Sequence, residues 1–287
     1  MPLSAAFRCL VCHGGEGTAV YLGCGDGYLG TPFRVDYFRC RACGLLQQFP
    51  VPADVSAFYE RYPIHARKPR VYGALRRLVM SSVYYDLARH PKGSVLLDYG
   101  CGDGGYLERY QGKGFTLLGY EGSRAQATRL AGRLGLPVYA DMETLRGERE
   151  GAVDVVTMHF ALEHLTDLDA AFRDVHALLR PGGVFYYVVP HASSFEARLF
   201  ARRWHNLDPP RHISFPDSGA ARRLADRHGF TVSDEHPVAF PNGVAGSLPV
   251  VLTGRFRFPL FAAFLPLGVA FSRLVPTGCR AYHLVRV

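Results

Sequence analysis

Val95-Leu96-Leu97-Asp98-Tyr99-Gly100-Cys101-Gly102-Asp103-Gly104-Gly105-Tyr106-Leu107 is the stretch that decides how this chain is read. A short apolar run of strand character (95–98) leads straight into Gly-x-Gly-x-Gly, and a helix is expected to begin at 106–112. Glycines at 100, 102 and 104 allow a sharp turn and a close approach of backbone to a ligand, with no Cβ in the way. Alone, such a loop also serves several nucleotide ligands or merely turns the chain. Its acidic neighbours narrow the choice. Asp98, two residues before Gly100, offers a carboxylate to a cationic amine or to backbone amides. Glu121 ends the next strand about 20 residues later, where an acidic side chain accepts from ribose hydroxyls. Asp141 follows the third strand in Ala140-Asp141-Met142-Glu143, in place to receive an adenine amino group. Each acid taken singly also suits a helix cap or a surface charge. Three of them at the ends of three successive strands point to one crevice at a topological switch point.

Outward from this loop, strand and helix patterns alternate. Strands are expected at 116–121, 137–140, 153–159, 183–190 and 230–235, and helices at 124–134, 168–179 and 218–228. That alternation predicts an α/β fold, a Rossmann-like, mostly parallel sheet with crossover helices. Continuous apolar strands such as 184–189 fit a sheet covered on both faces. Residues 282–287 read as a final edge strand. Upstream, 54–62 and 72–89 read as helical, and 18–23 and 34–39 as short strands about a Gly-rich turn at 25–30. The expected organisation is a metal-binding module over 1–50, a helical linker over 51–91, and a ligand-binding domain over 92–287 with insertions at 191–216 and 239–279.

The length of 287 residues suits one ordinary domain with attachments, and 48% hydrophobic with 20% charged residues is globular composition. No basic start followed by a long apolar run opens the chain, and no stretch reaches the roughly 20 apolar residues of a membrane span, so a cytoplasmic protein is expected. The net charge of +8 rests almost wholly on arginine, since only Lys68, Lys92 and Lys113 are lysines. That skew fits a GC-rich bacterial genome. Without a basic run interleaved with aromatics, a nucleic-acid partner is disfavoured.

Cys9-x-x-Cys12 and Cys40-x-x-Cys43 are the strongest local signal after the glycine loop. Each pair sets two thiolates on one tight turn, and two such turns complete a tetrahedron around zinc. Four Cys ligands leave no open position, so the expected metal is structural. Neither pair follows a strand-to-helix pattern of redox type.

The segment 92–190 resembles a class I S-adenosylmethionine-dependent methyltransferase. Asp98-Tyr99-Gly100-Cys101-Gly102-Asp103-Gly104 is similar to the first motif of that family, residues 153–165 to its fourth-strand motif, and Leu178-Leu179-Arg180-Pro181-Gly182-Gly183 to the turn before its fifth strand. The resemblance implies seven strands with the last antiparallel. It places Asp98, Tyr99, Gly100, Gly102, Gly104, Glu121, Asp141, Met142 and His159 at S-adenosylmethionine. Met158-His159-Phe160 stands where base-amine methyltransferases carry Asn/Asp-Pro-Pro-Tyr/Phe, which disfavours that chemistry. Glu163-His164 resembles a Glu-His pair of quinone-pathway O-methyltransferases, some of which hold a divalent metal. Phe160 occupies the place of a further acidic ligand there, so packing is the expected role of the pair.

The four-Cys module before such a core resembles bacterial sugar and natural-product methyltransferases. It fits ribosomal RNA methyltransferases with a zinc site less well. The implied acceptor is a small molecule, a secondary-metabolite or sugar intermediate. RNA modification and a non-catalytic cofactor-binding subunit are the alternatives. Insertion 191–216, with Trp204-His205-Asn206-Leu207-Asp208-Pro209-Pro210-Arg211-His212, reads as a lid. His212 is the preferred general base and His159 the second. Pro259, Pro266 and Gly268 argue against one long helix in 248–275. Three roles are weighed for that apolar stretch: an acceptor pocket, a homodimer contact, or contact with a membrane surface.

Overall fold

The structure, a computed structural model, describes residues 6–59, 83–275 and 278–287. Three N-terminal strands, β1 (Gly17–Gly25), β2 (Arg34–Cys40) and β3 (Leu46–Phe49), form an antiparallel sheet. The central sheet then begins with β4 (Val95–Tyr99), β5 (Thr116–Tyr120), β6 (Val138–Tyr139), β7 (Val153–His159) and β8 (Leu179–Pro190), which are parallel wherever they pair. The two-residue β9 (Ser214–Phe215) leaves the central domain to pair with β3. Strands β10 (Phe230–Pro237) and β11 (Cys279–Arg286) complete seven strands in the order β10-β11-β8-β7-β4-β5-β6. The chain runs outward from β4 on one side through β5 and β6, and on the other through β7 and β8. The switch point therefore lies between β4 and β7, where an open α/β sheet takes its ligands.

Local sequence explains the crossovers. The helices Arg124–Leu134, Met142–Arg149, Leu168–Leu178 and Ser218–Arg227 start at Ser123, Asp141, Asp167 and Asp217, whose side chains accept from a backbone amide of the first turn. Alternation along the strands then divides the core. Leu97, Val156, Phe185 and Tyr187 face the helices Leu168–Leu178 and Ser218–Arg227, and Cys9, Val11 and Leu45 of the N-terminal module pack into the same cluster. Leu96, Val155, Tyr186 and Val188 face the opposite side, with Leu107, Leu130 and Phe240.

Three sequence expectations change, and a fourth is mostly beyond test. Most of the expected helix 72–89 lies outside the described residues. Its described end includes the 3-10 turn Leu87–Arg89, started by Asp86 accepting from the amide of Ala88. The segment 282–287 is not an edge: β11 lies between β8 and β10, antiparallel to both, with Tyr282 and Leu284 fully buried. The Arg-Pro-Gly-Gly turn is absorbed into β8 as a bulge, for the pairing jumps from Val153 with Leu179 to Val155 with Val184. Finally, 248–275 is not one long helix, as expected, but its break falls at 254–257, and Phe258–Leu274 runs as one helix of 17 residues through its prolines and glycine. Pro259 sits in its first turn, where the amide needs no helical partner. Pro266 withdraws one donor from an exposed stretch. Gly268 lies so close to the preceding helix, Asn242–Thr253, that a Cβ there would stand 2.5 Å from the carbonyl oxygen of Pro241. No helix among the described residues is long and apolar enough to cross a membrane.

The 191–216 insertion is not a free flap. Trp204 is buried against Phe215, and Tyr37, Leu46 and Leu207 close the same cluster. Gln48 Nε2 donates to the carbonyls of Pro210 and His212 at 2.6 and 2.9 Å. Arg211, its side chain wholly buried, bonds Asp26 of the N-terminal module at 2.8 and 3.0 Å and Asp208 at 2.6 and 2.9 Å. Burial alone would raise the Asp26 carboxyl, but the Arg211 guanidinium and the Leu29 amide outweigh it and hold the group down at about 2. Arg211→Ala leaves two buried carboxylates without their cation and should cost about 3–5 kcal/mol of folding free energy, read by urea denaturation. Because the folded pKa of Asp26 is depressed, its contribution is present above the ordinary carboxylate pKa and lost as pH falls toward about 2. The wild-type stability should fall over that acid range more steeply than that of the variant.

Candidate active site

Asp98 is the centre of the glycine-loop crevice. It lies one residue before the end of β4 with no exposure, and its Oδ1 accepts from Thr157 Oγ1 at 2.9 Å. His159, at the end of β7, places Nδ1 3.3 Å from the same oxygen. The His159 ring is held flat beneath Tyr106, with centroids 3.9 Å apart and planes 8° from parallel. Two partners on one oxygen fix the carboxylate plane and leave Oδ2 buried without a hydrogen-bond partner among the described residues. A bare buried carboxylate oxygen is costly unless a donor arrives. A cationic amine from a ligand meets that need.

The glycines act as their positions require. Gly100 has φ +75°, and a Cβ there would lie 2.7 Å from the Cβ of Ala161. Gly102 and Gly104 also have positive φ, and Gly104 caps the helix Gly105–Tyr110. The amides of Gly100 and Cys101 both bond the carbonyl of Tyr120, which ties the loop to β5. Glu121 follows that strand. Its Oε2 accepts from the Gly102 amide at 3.0 Å and its Oε1 from the Ser123 amide at 3.1 Å. Glu121 thus lies at the loop itself, stitching it to the next strand. Asp141 Oδ2 accepts from the amide and hydroxyl of Thr144, so the acid caps the helix Met142–Arg149. Met142 packs partly buried on the core, and Tyr99 is buried at the end of β4 with its ring 4.7 Å from that of Tyr120.

Beyond the tip of β7, at the carboxyl edge of the sheet, the 3-10 turn Leu162–His164 carries a second cluster. Glu163, His164 and His212 bring their ligand-type atoms within 4.8 Å of one another. Glu163 has no exposure, and neither carboxylate oxygen has a hydrogen-bond partner among the described residues. Burial pushes its carboxyl up to about 8. Burial also drives His212 down to about 3, with His164 adding to the effect. His212 Nδ1 is 2.8 Å from the carbonyl of Asn206, so the neutral ring donates there and turns a bare Nε2 toward Glu163 Oε1, 3.9 Å away. The amide of Ile213 donates to the Glu163 carbonyl at 2.7 Å, which locks the insertion onto the turn. Packing, the role expected of Glu163, does not account for a carboxyl with both oxygens bare. The structure brings Glu163 to His212 across the fold, while His159 belongs to the Asp98 group.

In the N-terminal module, Cys9 Sγ lies 3.4 Å from Cys43 Sγ and Cys12 Sγ 3.4 Å from Cys40 Sγ. All four sulfurs fall within 4.8 Å of one another, and none forms a disulfide. The two turns share one construction: His13 and Gly44 have positive φ, and their amides bond the carbonyls of Cys9 and Cys40. Tetrahedral zinc with Zn–S of about 2.3 Å sets sulfurs about 3.8 Å apart, between the 3.4 Å of these two pairs and the 4.8 Å that bounds all four.

Sequence reading missed Thr157 and the Arg211 clamp. Thr157 had a signal, as a hydroxyl in the buried middle of the strand Val153–His159, between Val156 and Met158. Arg211 and Asp26 had none, being 185 residues apart.

Residues 72–235 match the model of a family described as a methyltransferase domain. The chain is 25% identical over 212 residues to the C-methyltransferase NovU of Streptomyces niveus, covering 72% of this chain and 49% of that protein. It is 31% identical over 132 residues to the ubiquinone biosynthesis O-methyltransferase of Caulobacter vibrioides, covering 43% of this chain and 52% of that one. These alignments span about half the length of the curated relatives. Among solved structures, a chain from the complex between the Haloferax volcanii Trm112 methyltransferase activator and a methyltransferase superposes with a TM-score of 0.53 at 18% identity, covering 75% of this chain and 94% of that one. That likeness concerns the fold alone.

Proposed function

From the premise that this chain belongs to the methyltransferase-domain family, we propose that it transfers a methyl group from S-adenosylmethionine to a small-molecule acceptor. A bacterial secondary-metabolite or sugar intermediate is the acceptor this reading favours. The observation that carries it is Asp98 Oδ2, buried near the end of β4 beside the glycine turn and without a hydrogen-bond partner among the described residues. That oxygen suits the cationic amino group of the cofactor. Glu121 would share its carboxylate between the loop amides and the ribose hydroxyls, and Asp141 with Met142 would border the adenine.

S-adenosylmethionine supplies an activated methyl group when bound, so the protein's work is alignment and, for an acidic acceptor, removal of a proton. We assign the proton-accepting role to the Glu163–His212 pair. The Asn206 carbonyl fixes the tautomer of His212 and presents Nε2, but burial makes that ring a weak base. Glu163, pushed up to about 8, holds the basicity that suits a proton acceptor near neutral pH. His159, turned to Asp98 Oδ1, serves to orient the Asp98 carboxylate toward the cofactor. The four cysteines would hold a structural zinc that fastens the two N-terminal turns.

Isothermal calorimetry should show binding of S-adenosylmethionine. Asp98→Asn should weaken it about ten- to a hundredfold, the equivalent of about 1.5–3 kcal/mol; wild type that takes up neither cofactor nor its demethylated product would end the reading. With an acceptor in hand, turnover should rise with pH through about 8, as Glu163 loses its proton. Glu163→Gln should lower kcat by about 10²–10⁴ and flatten that rise; an unchanged pH profile would remove Glu163 from the proton path. Metal analysis should give one zinc per chain and far less in Cys40→Ser, with a lower melting temperature; full-length protein without zinc would overturn the cage.

A further inference from the structure

Between the N-terminal sheet and the helix Asn242–Thr253 lies a cavity of about 410 Å³, within the usual size of small-ligand sites. Four arginines from three separate segments line it: Arg34 at the start of β2, Arg202 and Arg203 in the insertion, and Arg255 after the helix. Among the described residues none of the four makes an ion pair. The two acids in the wall, Asp26 and Asp208, are both bound to the buried guanidinium of Arg211 and are not available to them. The Arg34 guanidinium lies against the loop, its Nη1 2.9 Å from where a Cβ on Gly25 would stand.

Like charges gathered around one cavity repel one another unless an anion shares them. Guanidinium groups match the oxygens of a phosphate in pairs, and several converging on one site make a recognition device for it. We propose that this cavity binds the phosphate or diphosphate group of a small anionic ligand. The site goes beyond methyl transfer and stands on its own geometry. It also borders the candidate active site, because Asp208, in the cavity wall, has Oδ2 4.0 Å from His212 Nε2.

Calorimetry of the full chain with inorganic pyrophosphate tests the site, with S-adenosylmethionine titrated in parallel. Pyrophosphate should bind the wild type. The double variant Arg202→Ala with Arg203→Ala, at exposed positions, should lose at least about tenfold in affinity and keep its affinity for S-adenosylmethionine. Absence of pyrophosphate binding, or equal binding by the variant, would overturn the proposal. So would a single-stranded RNA oligonucleotide whose binding needs both arginines and is not displaced by pyrophosphate, since the surface would then be a nucleic-acid contact. Loss of S-adenosylmethionine binding alone would sink the methyl-transfer reading and leave this site standing.

Discussion

Arg211 lies with its guanidinium fully buried between Asp26, from the turn after β1, and Asp208, three residues before it. A desolvated cation of this kind is tolerated only when its hydrogen bonds are met, and here two carboxylates meet them from opposite sides. The consequence reaches well beyond the pair. With Arg211 fixed, the carbonyls of Pro210 and His212 fall to Gln48, β9 pairs with β3, and the N-terminal module becomes part of the wall of the central domain. The same clamp sets His212, the next residue, beside Glu163. Module, insertion and candidate site are thus held by one ionic contact and the short ladder around it.

That dependence explains what the sequence could and could not disclose. The glycine loop, its Asp98 and the alternating strands are local patterns, each carried by a dozen residues, and the structure has them where they were expected. The cysteine turns are local in the same way. By contrast, the place of β11 depends on which strand edge remains open once β8 and β10 are set, and no pattern within 279–286 records that. The helix Phe258–Leu274 was hidden by rules about proline and glycine that hold for helix interiors. Pro259 escapes them by position, and Gly268 is there for close contact with Pro241. The meeting of Glu163 with His212 is a tertiary fact with no sequence spacing to announce it.

The insertion shows why a lid was expected and a wedge was found. Trp, Pro and His in a long segment at the carboxyl edge of a sheet suggest something that closes over a ligand. Yet Trp204 is buried among Phe215 and Leu207, and its indole is 3.3 Å from the buried carboxylate of Glu196. Aromatic bulk in this segment seals the join between two sheets. The polar residues beside it, His212 above all, are then presented from a rigid base, which a proton-transfer group requires more than mobility.

Burial does not by itself decide the charge of an acid in this protein; the donors around it do. Asp26, Glu163 and Glu196 are all buried. Asp26 takes hydrogen bonds from Arg211, Leu29 and Thr31 and is held at about 2. Glu196, with the Trp204 indole on one oxygen and no partner for the other among the described residues, rises to about 7. Glu163, with no partner for either oxygen among the described residues, rises to about 8. The order follows the supply of donors, as it must when desolvation penalises the charged form and hydrogen bonds restore it. Structural acids are the ones the fold satisfies. Those it leaves bare, Glu163 on the turn beyond β7 and the outer oxygen of Asp98, stand at the carboxyl edge of the sheet, where a ligand would supply what the chain withholds.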